Sequence, residues 1–335
     1  MDKLVTSSDS NLSSLRHLYE KQCLQEFKDK DFIGQIKVAT VEVDGETKEE
    51  RSLVKWTYSE VFEMARNVGA FVLGNGLEFH EKELGMKTIA IFSKNRYEWL
   101  ISDVACCLYG LTLVPLYETL GKENLSYCLG HSEVTTCFCN QDTVKTILTL
   151  PDLGNLKNII SFDPLSKEAQ KDLKGKQLNL FHFSDALKPP LKPVSLDQHP
   201  VSPETILTFS YTSGTTGQPK AAMISHKNLL CFLAIASNAD SKFCQDDVYL
   251  SFLPLPHIME RVSILSLVLA GAFIAYFSTY AGCIAAISSK SETMPSSPGP
   301  QCSWEHLDST TESSKGSRRN STKSQASKNA SLIPG

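Results

Sequence analysis

The chain has 335 residues, of which 41% are hydrophobic, 9% aromatic and 21% charged, a composition of folded globular material large enough for one big core or two domains. A formal net charge of −4 excludes a strong overall attraction to nucleic acid or to anionic lipid. The ten cysteines include no C-x-x-C pair, and Cys106, Cys107, Cys137 and Cys139 sit in apolar runs, so they read as buried thiols of a reducing compartment in preference to metal ligands or disulfides.

The opening "MDKLVTSSDSNLSSLRHLYEKQ" has no apolar run of signal-peptide length and carries acids that a mitochondrial presequence would avoid. Residues 1–50 read as a lead-in segment. From there to residue 278, short β-rich runs alternate with helical patterns, the signature of βαβ units around a parallel sheet. "TYSEVFEMARNVGAFVLGNG" starts with capping-box spacing, Thr57 to Glu60, and carries Val61, Phe62, Ala65, Val68 and Val72 at helical intervals. "KTIAIFS" predicts a strand, "YEWLISDVACCLYG" a helix ending at Gly110, and "LTLVPLY", "VTTCFC" and "NIISF" further strands. Residues 163–204, rich in Lys, Pro and Asp, predict a surface connection leading into the strand "ETILTFSYT".

Between Arg261 and Lys290 no charge occurs, and "VSILSLVLAGAFIAYFSTYAGCIAAI" is long enough to cross a bilayer. The competing reading is a buried helix ended by Gly271 and followed by a buried strand. Residues 288–335 hold 14 serines and only three of Leu, Ile, Val and Phe, too little apolar surface to offset chain entropy, so a mostly disordered tail is expected beyond residue 278.

"YTSGTTGQPK", residues 211–220, packs five hydroxyls, two glycines and one lysine between that last strand and the helix pattern "SHKNLLCFLAIA". The carboxyl end of a strand is where open α/β sheets place their ligand crevice. Glycines let backbone N–H groups approach phosphate oxygens, hydroxyls add neutral donors, and Lys220 adds a mobile charge. A Walker A loop is excluded, because counting from Gly214 its second glycine falls on Pro219.

This stretch resembles the phosphate-binding signature of the adenylate-forming (AMP-binding) superfamily. "NRYEWLISDVACCLYGLTLVPLYETLG" and "YLSFLPLPHIMERV" resemble the eukaryotic long-chain fatty acid CoA ligases in particular. Activators of aromatic or amino acids share the loop but usually not these segments. The resemblance implies an α/β fold, the N-terminal portion of the adenylate-forming ligase fold with mixed sheets and flanking helices. It also implies a two-step reaction, in which ATP and a fatty acid give an acyl-adenylate and pyrophosphate, and the CoA thiol then displaces AMP. Thr212, Ser213, Gly214, Thr215, Thr216, Gly217 and Lys220 would hold the β- and γ-phosphates, with Mg²⁺ assisting near the Thr212 hydroxyl. His257 would lie near the join of the acyl and adenylate sites, whereas Glu260 and Arg261 read as an ion pair at a helix start.

One departure lies within the motif: where the family carries glycine after its lysine, this chain has Ala221, a strained choice if the backbone there needs a positive φ. The larger one is that the family's adenine-binding turn, ribose-binding Asp and C-terminal domain have no counterpart in the sequence. The resemblance therefore implies an incomplete ligase expected to be inactive alone. The alternative is a non-catalytic fragment that binds ATP, lipid or a full-length partner. The expected location is cytoplasmic, with peripheral attachment to the endoplasmic reticulum or another internal membrane left open by the lipid substrates; the membrane-anchoring segment that many long-chain ligases carry near the N-terminus has no counterpart.

Overall fold

The computed structural model describes residues 12–43, 46–212, 218–236 and 243–277, with the backbone alone described over 37–43 and 46–51. Helix α1 (Leu15–Lys21) starts at Ser14, whose hydroxyl accepts the His17 N–H, and is followed by the hairpin of β1 (Asp31–Val43) and β2 (Glu46–Thr57). Helix α2 (Tyr58–Gly74) opens in the capping box expected of Thr57 and Glu60: the Glu60 N–H donates to Thr57 Oγ1 at 3.3 Å and the Thr57 N–H to Glu60 Oε2 at 2.7 Å. After β3 (Phe79–His80) and β4 (Lys87–Phe92) comes α3 (Tyr97–Tyr109), stopped by Gly110 in the left-handed conformation at φ +64°. Helices α2 and α3 cross closely because Gly69 presents no side chain: a Cβ there would stand 2.2 Å from the Tyr109 ring.

The chain then alternates strand and helix: β5 (Thr112–Pro115), α4 (Gly121–Ser132), β6 (Thr136–Cys139), α5 (Gln141–Leu148), β7 (Asn158–Ser161), α6 (Lys167–Gly175), β8 (Asn179–His182) and α7 (Phe183–Ala186). It ends in β9 (Ile206–Thr212), β10 (Lys220–Ser225), α8 (His226–Ala236), β11 (Val248–Leu250), α9 (Ile258–Ala270) and β12 (Phe273–Phe277). Residues 163–204 are therefore more than the surface connection expected from composition, since they supply α6, β8 and α7. Helix α6 buries only Leu173, and β8 is an edge strand with half-buried side chains, so neither carries enough apolar residues to register as a period.

The large sheet runs β10-β9-β5-β4-β6-β7-β8, with β3 attached to β4. Strands β4 to β9 are mutually parallel, while β10 and β3 run antiparallel to their neighbours. Alternate residues serve two cores. Ile89, Ile91, Leu113, Phe138 and Ile160 face α1, α2, α3 and α9; Ala90, Phe92, Val114, Cys137 and Ile159 face α4, α5 and α6. Burial on both faces is why these strands read as unbroken apolar runs. The chain leaves β4 toward β5 on one side and returns to β6 on the other, so the strand order reverses at β4.

A second sheet, β11-β12-β1-β2, draws residues on both sides of position 50 into one layer, with Ile33 of β1 beside Ile274 of β12. The apolar stretch from residue 262 resolves into the end of α9, Gly271 at φ +73° and β12; among the described residues no helix is long and apolar enough to cross a membrane. Its last part, from residue 278, and the expected tail lie outside the described residues. Cys23, Cys106, Cys107, Cys128, Cys137 and Cys139 are free and buried, whereas Cys231 is half-buried and Cys244 exposed.

Candidate functional site

The hydroxyl- and glycine-rich stretch spans the connection between two antiparallel strands. Thr212, the last residue of β9, is the cross-strand partner of Lys220, the first of β10. Directly opposed residues project to the same face, so both side chains, each exposed, stand together where the connection leaves the sheet. Ser213, Gly214, Thr215, Thr216 and Gly217 lie outside the described residues. Ala221 lies opposite Tyr211 within β10 and is not among the positive-φ positions, so alanine carries no backbone strain there.

The base of this strand pair is anchored on its other face. Tyr211 is buried, and its hydroxyl sits 2.9 Å from His131 Nδ1 and donates toward the Cys128 carbonyl at 3.4 Å, both on α4. Burial raises the Tyr211 pKa well out of the physiological range, so the hydroxyl keeps its proton.

Beside the strand pair, at the carboxyl ends of β4, β5 and β6, lies a cleft of about 830 Å³. It occupies the point where the strand order reverses, as expected for a ligand crevice in an open parallel sheet. Lys94, Tyr117, Gln141, Phe252 and Phe277 contribute to its lining, from both sheets. Its rim is cross-braced by Arg96. The guanidinium forks onto Glu98 at 2.7 and 2.8 Å and reaches Asp163 at 3.0 Å, and Asp163 in turn accepts the Gln141 N–H at 2.9 Å. Burial alone would depress the Arg96 pKa, but the hydrogen-bonded Glu98 and the Asp163 carboxylate outweigh it and raise it. The turns after β4, β6 and β7 are thereby tied into one rigid edge.

Tyr117 links this cleft to the two regions singled out by sequence. Its hydroxyl donates to the Pro256 carbonyl at 2.8 Å. Burial raises its pKa, against the opposing pull of the Arg261 charge and of Ser210 on β9. His257 follows immediately as the N-cap of α9, its exposed ring accepting the Met259 N–H on Nδ1 at 3.2 Å. With Nδ1 taken up as the acceptor, Nε2 is the ring nitrogen left to meet a ligand.

Glu260 and Arg261 do not form the ion pair expected of them. Successive helical residues point about 100° apart and cannot face each other. Arg261 turns to Asp103 on α3, with 2.5 and 3.2 Å contacts, and lies over the Trp99 ring. Glu260 accepts from the Tyr249 and Ser251 hydroxyls, each at 2.7 Å. Both are fully buried, and burial raises the Glu260 pKa against the pull of Ser251 and Tyr249.

Sequence reasoning assigned no role to Asn95, Arg96, Tyr117, Gln141 or Asp163. Asn95, Arg96 and Tyr117 lie inside a segment that carries the family resemblance, whereas Gln141 and Asp163 have position as their local signal, as polar residues soon after short apolar strand runs.

Three comparisons bear on this arrangement. The profile of the family described as AMP-binding enzyme matches residues 37–290. Fatty acyl-CoA synthetase A of Dictyostelium discoideum is 33% identical over 279 residues, covering 82% of this chain and 39% of the relative, and fatty acyl-CoA synthetase B of the same organism is 40% identical over 201 residues, covering 58% and 30%. The chain thus spans two fifths or less of the length of these relatives. Among solved structures, the adenylation domain of a carboxylate reductase from Mycobacterium chelonae superposes with a TM-score of 0.64 at 20% identity, over 81% of this chain and 43% of that one, a likeness of fold. With the doubly covered parallel sheet and its hydroxyl- and glycine-rich connection already in view, the profile match over most of the chain establishes that this protein belongs to the AMP-binding enzyme family.

Proposed function

We propose that this chain carries the triphosphate-binding part of an ATP-dependent ligase that activates long-chain fatty acids and transfers them to CoA. The supporting observation is the Thr212–Lys220 pair, held opposite each other at the exposed end of a tyrosine-anchored strand pair beside the cleft. The two curated relatives described above are named fatty acyl-CoA synthetases, which favours an acyl substrate.

In this reading the Lys220 ammonium and the N–H and hydroxyl groups of residues 212–217 take up the β- and γ-phosphates. They spread the charge that builds on departing pyrophosphate as the carboxylate attacks the α-phosphorus. Mg²⁺ enters as the MgATP substrate. The Thr212 hydroxyl would be this chain's contribution to holding the ion, beside the phosphate oxygens of the nucleotide. The cleft, with Tyr117, Phe252 and Phe277 for stacking and Lys94 for charge, suits an adenosine-bearing substrate, and His257 Nε2 at its border would orient the acyl carboxylate.

Isothermal titration of the 335-residue chain with MgATP tests the reading. Binding weakened about tenfold or more by Lys220→Ala, with unchanged thermal stability, supports it, because a charge-assisted phosphate contact contributes about 1.5–3 kcal/mol. No MgATP binding, or binding indifferent to Lys220, rejects it. Palmitate-dependent release of pyrophosphate and formation of palmitoyl-CoA then report whether adenylation and thioester formation follow.

A further inference from the structure

Glu260 is a carboxylate with 0% exposure, and among the described residues no cation stands within ion-pair distance of it, its neighbour Arg261 being committed to Asp103. Burying such a group is costly, and an apolar residue of similar volume would fill the same space at lower cost. Its two hydroxyl donors have different surroundings. Tyr249 lies within β11, and among the described residues its hydroxyl makes no hydrogen bond beyond Glu260. Ser251, just past that strand, is 6% exposed and also accepts the Asn95 Nδ2–H at 3.1 Å.

Asn95 comes from the turn after β4, in the other sheet. Its Nδ2 donates to the Leu253 carbonyl at 2.6 Å, and its Oδ1 accepts the Leu255 N–H at 2.8 Å. A single amide side chain therefore threads residues 251–255 onto the edge of the large sheet. Both Asn95 and Ser251 line the cleft, together with Phe252 and Pro254 of the threaded segment. Phe252 is 48% and Leu253 39% exposed, so apolar burial contributes little to holding the middle of this wall, whereas Leu255 at its end is fully buried in the core. The polar chain Glu260–Ser251–Asn95, together with the Ser251 N–H that donates to the Ala275 carbonyl at 3.0 Å, fixes this exposed stretch.

We infer that Glu260 is a positioning residue for the cleft: through Ser251 and Asn95 its carboxylate holds residues 251–255 as a fixed wall and so sets the affinity of the cleft for an adenosine-bearing ligand. This rests on the reading of the cleft as a substrate site. The carboxylate touches no ligand itself. It acts by orienting the Ser251 hydroxyl inward, which leaves that oxygen's lone pairs to Asn95.

A matched pair of variants separates this from a purely structural role. Ser251→Ala and Tyr249→Phe each remove one hydroxyl from the same carboxylate, but only the first breaks the path to Asn95. The readouts are amide hydrogen exchange of Leu255, whose N–H is bonded to Asn95, and titration with CoA and with MgATP as separate probes. Ser251→Ala and Glu260→Gln are expected to speed Leu255 exchange and to weaken the bound probe about tenfold each, the size of one net hydrogen bond, while Tyr249→Phe changes both by less than about twofold. Equal effects of Ser251→Ala and Tyr249→Phe on Leu255 exchange, or wild-type exchange in Ser251→Ala, overturn the inference. If the wild-type chain binds neither probe, the substrate-site reading and the affinity claim fall together, and the exchange comparison alone decides whether the wall is held as described. Should Glu260→Gln not fold, the matched pair still gives both answers.

Discussion

Asp103→Asn is the substitution that tests most directly how the helical layer is held together. Asp103 on α3 and Arg261 on α9 meet through two contacts of 2.5 and 3.2 Å, with side chains 9% and 2% exposed. The asparagine has almost the same volume and keeps one acceptor, so packing is preserved and only the charge is removed. A fully buried guanidinium is then left facing a neutral amide, with Nη1 already lacking a hydrogen-bond partner among the described residues. Breaking a buried pair in this way costs about 3–5 kcal/mol, a large part of the roughly 5–15 kcal/mol that stabilises a whole domain. At about 2–4 °C per kcal/mol for a domain of this size, the melting temperature should fall by roughly 6–20 °C. Urea titration followed by far-UV circular dichroism measures the free energy, and differential scanning fluorimetry gives the shift. The double variant Asp103→Leu with Arg261→Met removes both charges and should recover most of the loss, since the attraction in such pairs roughly cancels the cost of desolvating them. A single variant within about 1 kcal/mol of wild type, or a double variant no better than the single, would refute this account of the α3–α9 joint.

The His226 imidazole is fully buried, accepts the Leu15 N–H on Nδ1 at 3.2 Å, and has its pKa lowered to about 4 by burial and by nearby Arg261. Between pH 6.5 and 4 the unfolded chain therefore binds a proton that the folded one refuses, so stability falls as pH falls through this window, by about 3 kcal/mol in all. His226→Asn, which can still accept the Leu15 N–H, should flatten that part of the urea-midpoint profile; an unchanged slope contradicts the assignment. Gly271→Ala places a Cβ 2.6 Å from the Phe27 ring at φ +73°, and should cost about 2 kcal/mol from left-handed strain plus ring displacement. A neutral result in denaturant titration would mean that the α9–β12 turn relaxes freely. Thr57→Ala removes one arm of the capping box of α2 and should cost about 1 kcal/mol by the same measurement, with no change in MgATP binding.

Local chemistry carried much of the fold. The Thr57–Glu60 spacing, the glycine stops at Gly110 and Gly271, and the apolar runs of β4 to β7 all lie within one or two turns of chain, where the period of an element and the conformation of its end residue are fixed by near neighbours. The same holds for "YTSGTTGQPK", whose hydroxyls, glycines and lysine are contiguous, although Ser213 to Gly217 lie outside the described residues. Weakly apolar elements escaped this reading. Helix α6 buries one leucine and β8 sits at an edge, so their periods are faint and tertiary contact alone secures them.

The pairings of the site belong to another class of information. Sequence adjacency placed Glu260 beside Arg261, yet the helix turned one toward Ser251 and the other toward Asp103, 158 positions away. Tyr211 finds His131 across 80 positions, and Tyr117 finds Pro256 across 139. Composition and periodicity determine which residues form strands and helices and which face is apolar, because those depend on contacts a few residues apart. The reversal of strand order at β4, the cleft it opens and the partners of each buried charge were decided only by the tertiary structure, because they depend on where distant segments are brought when the two cores close over the sheet.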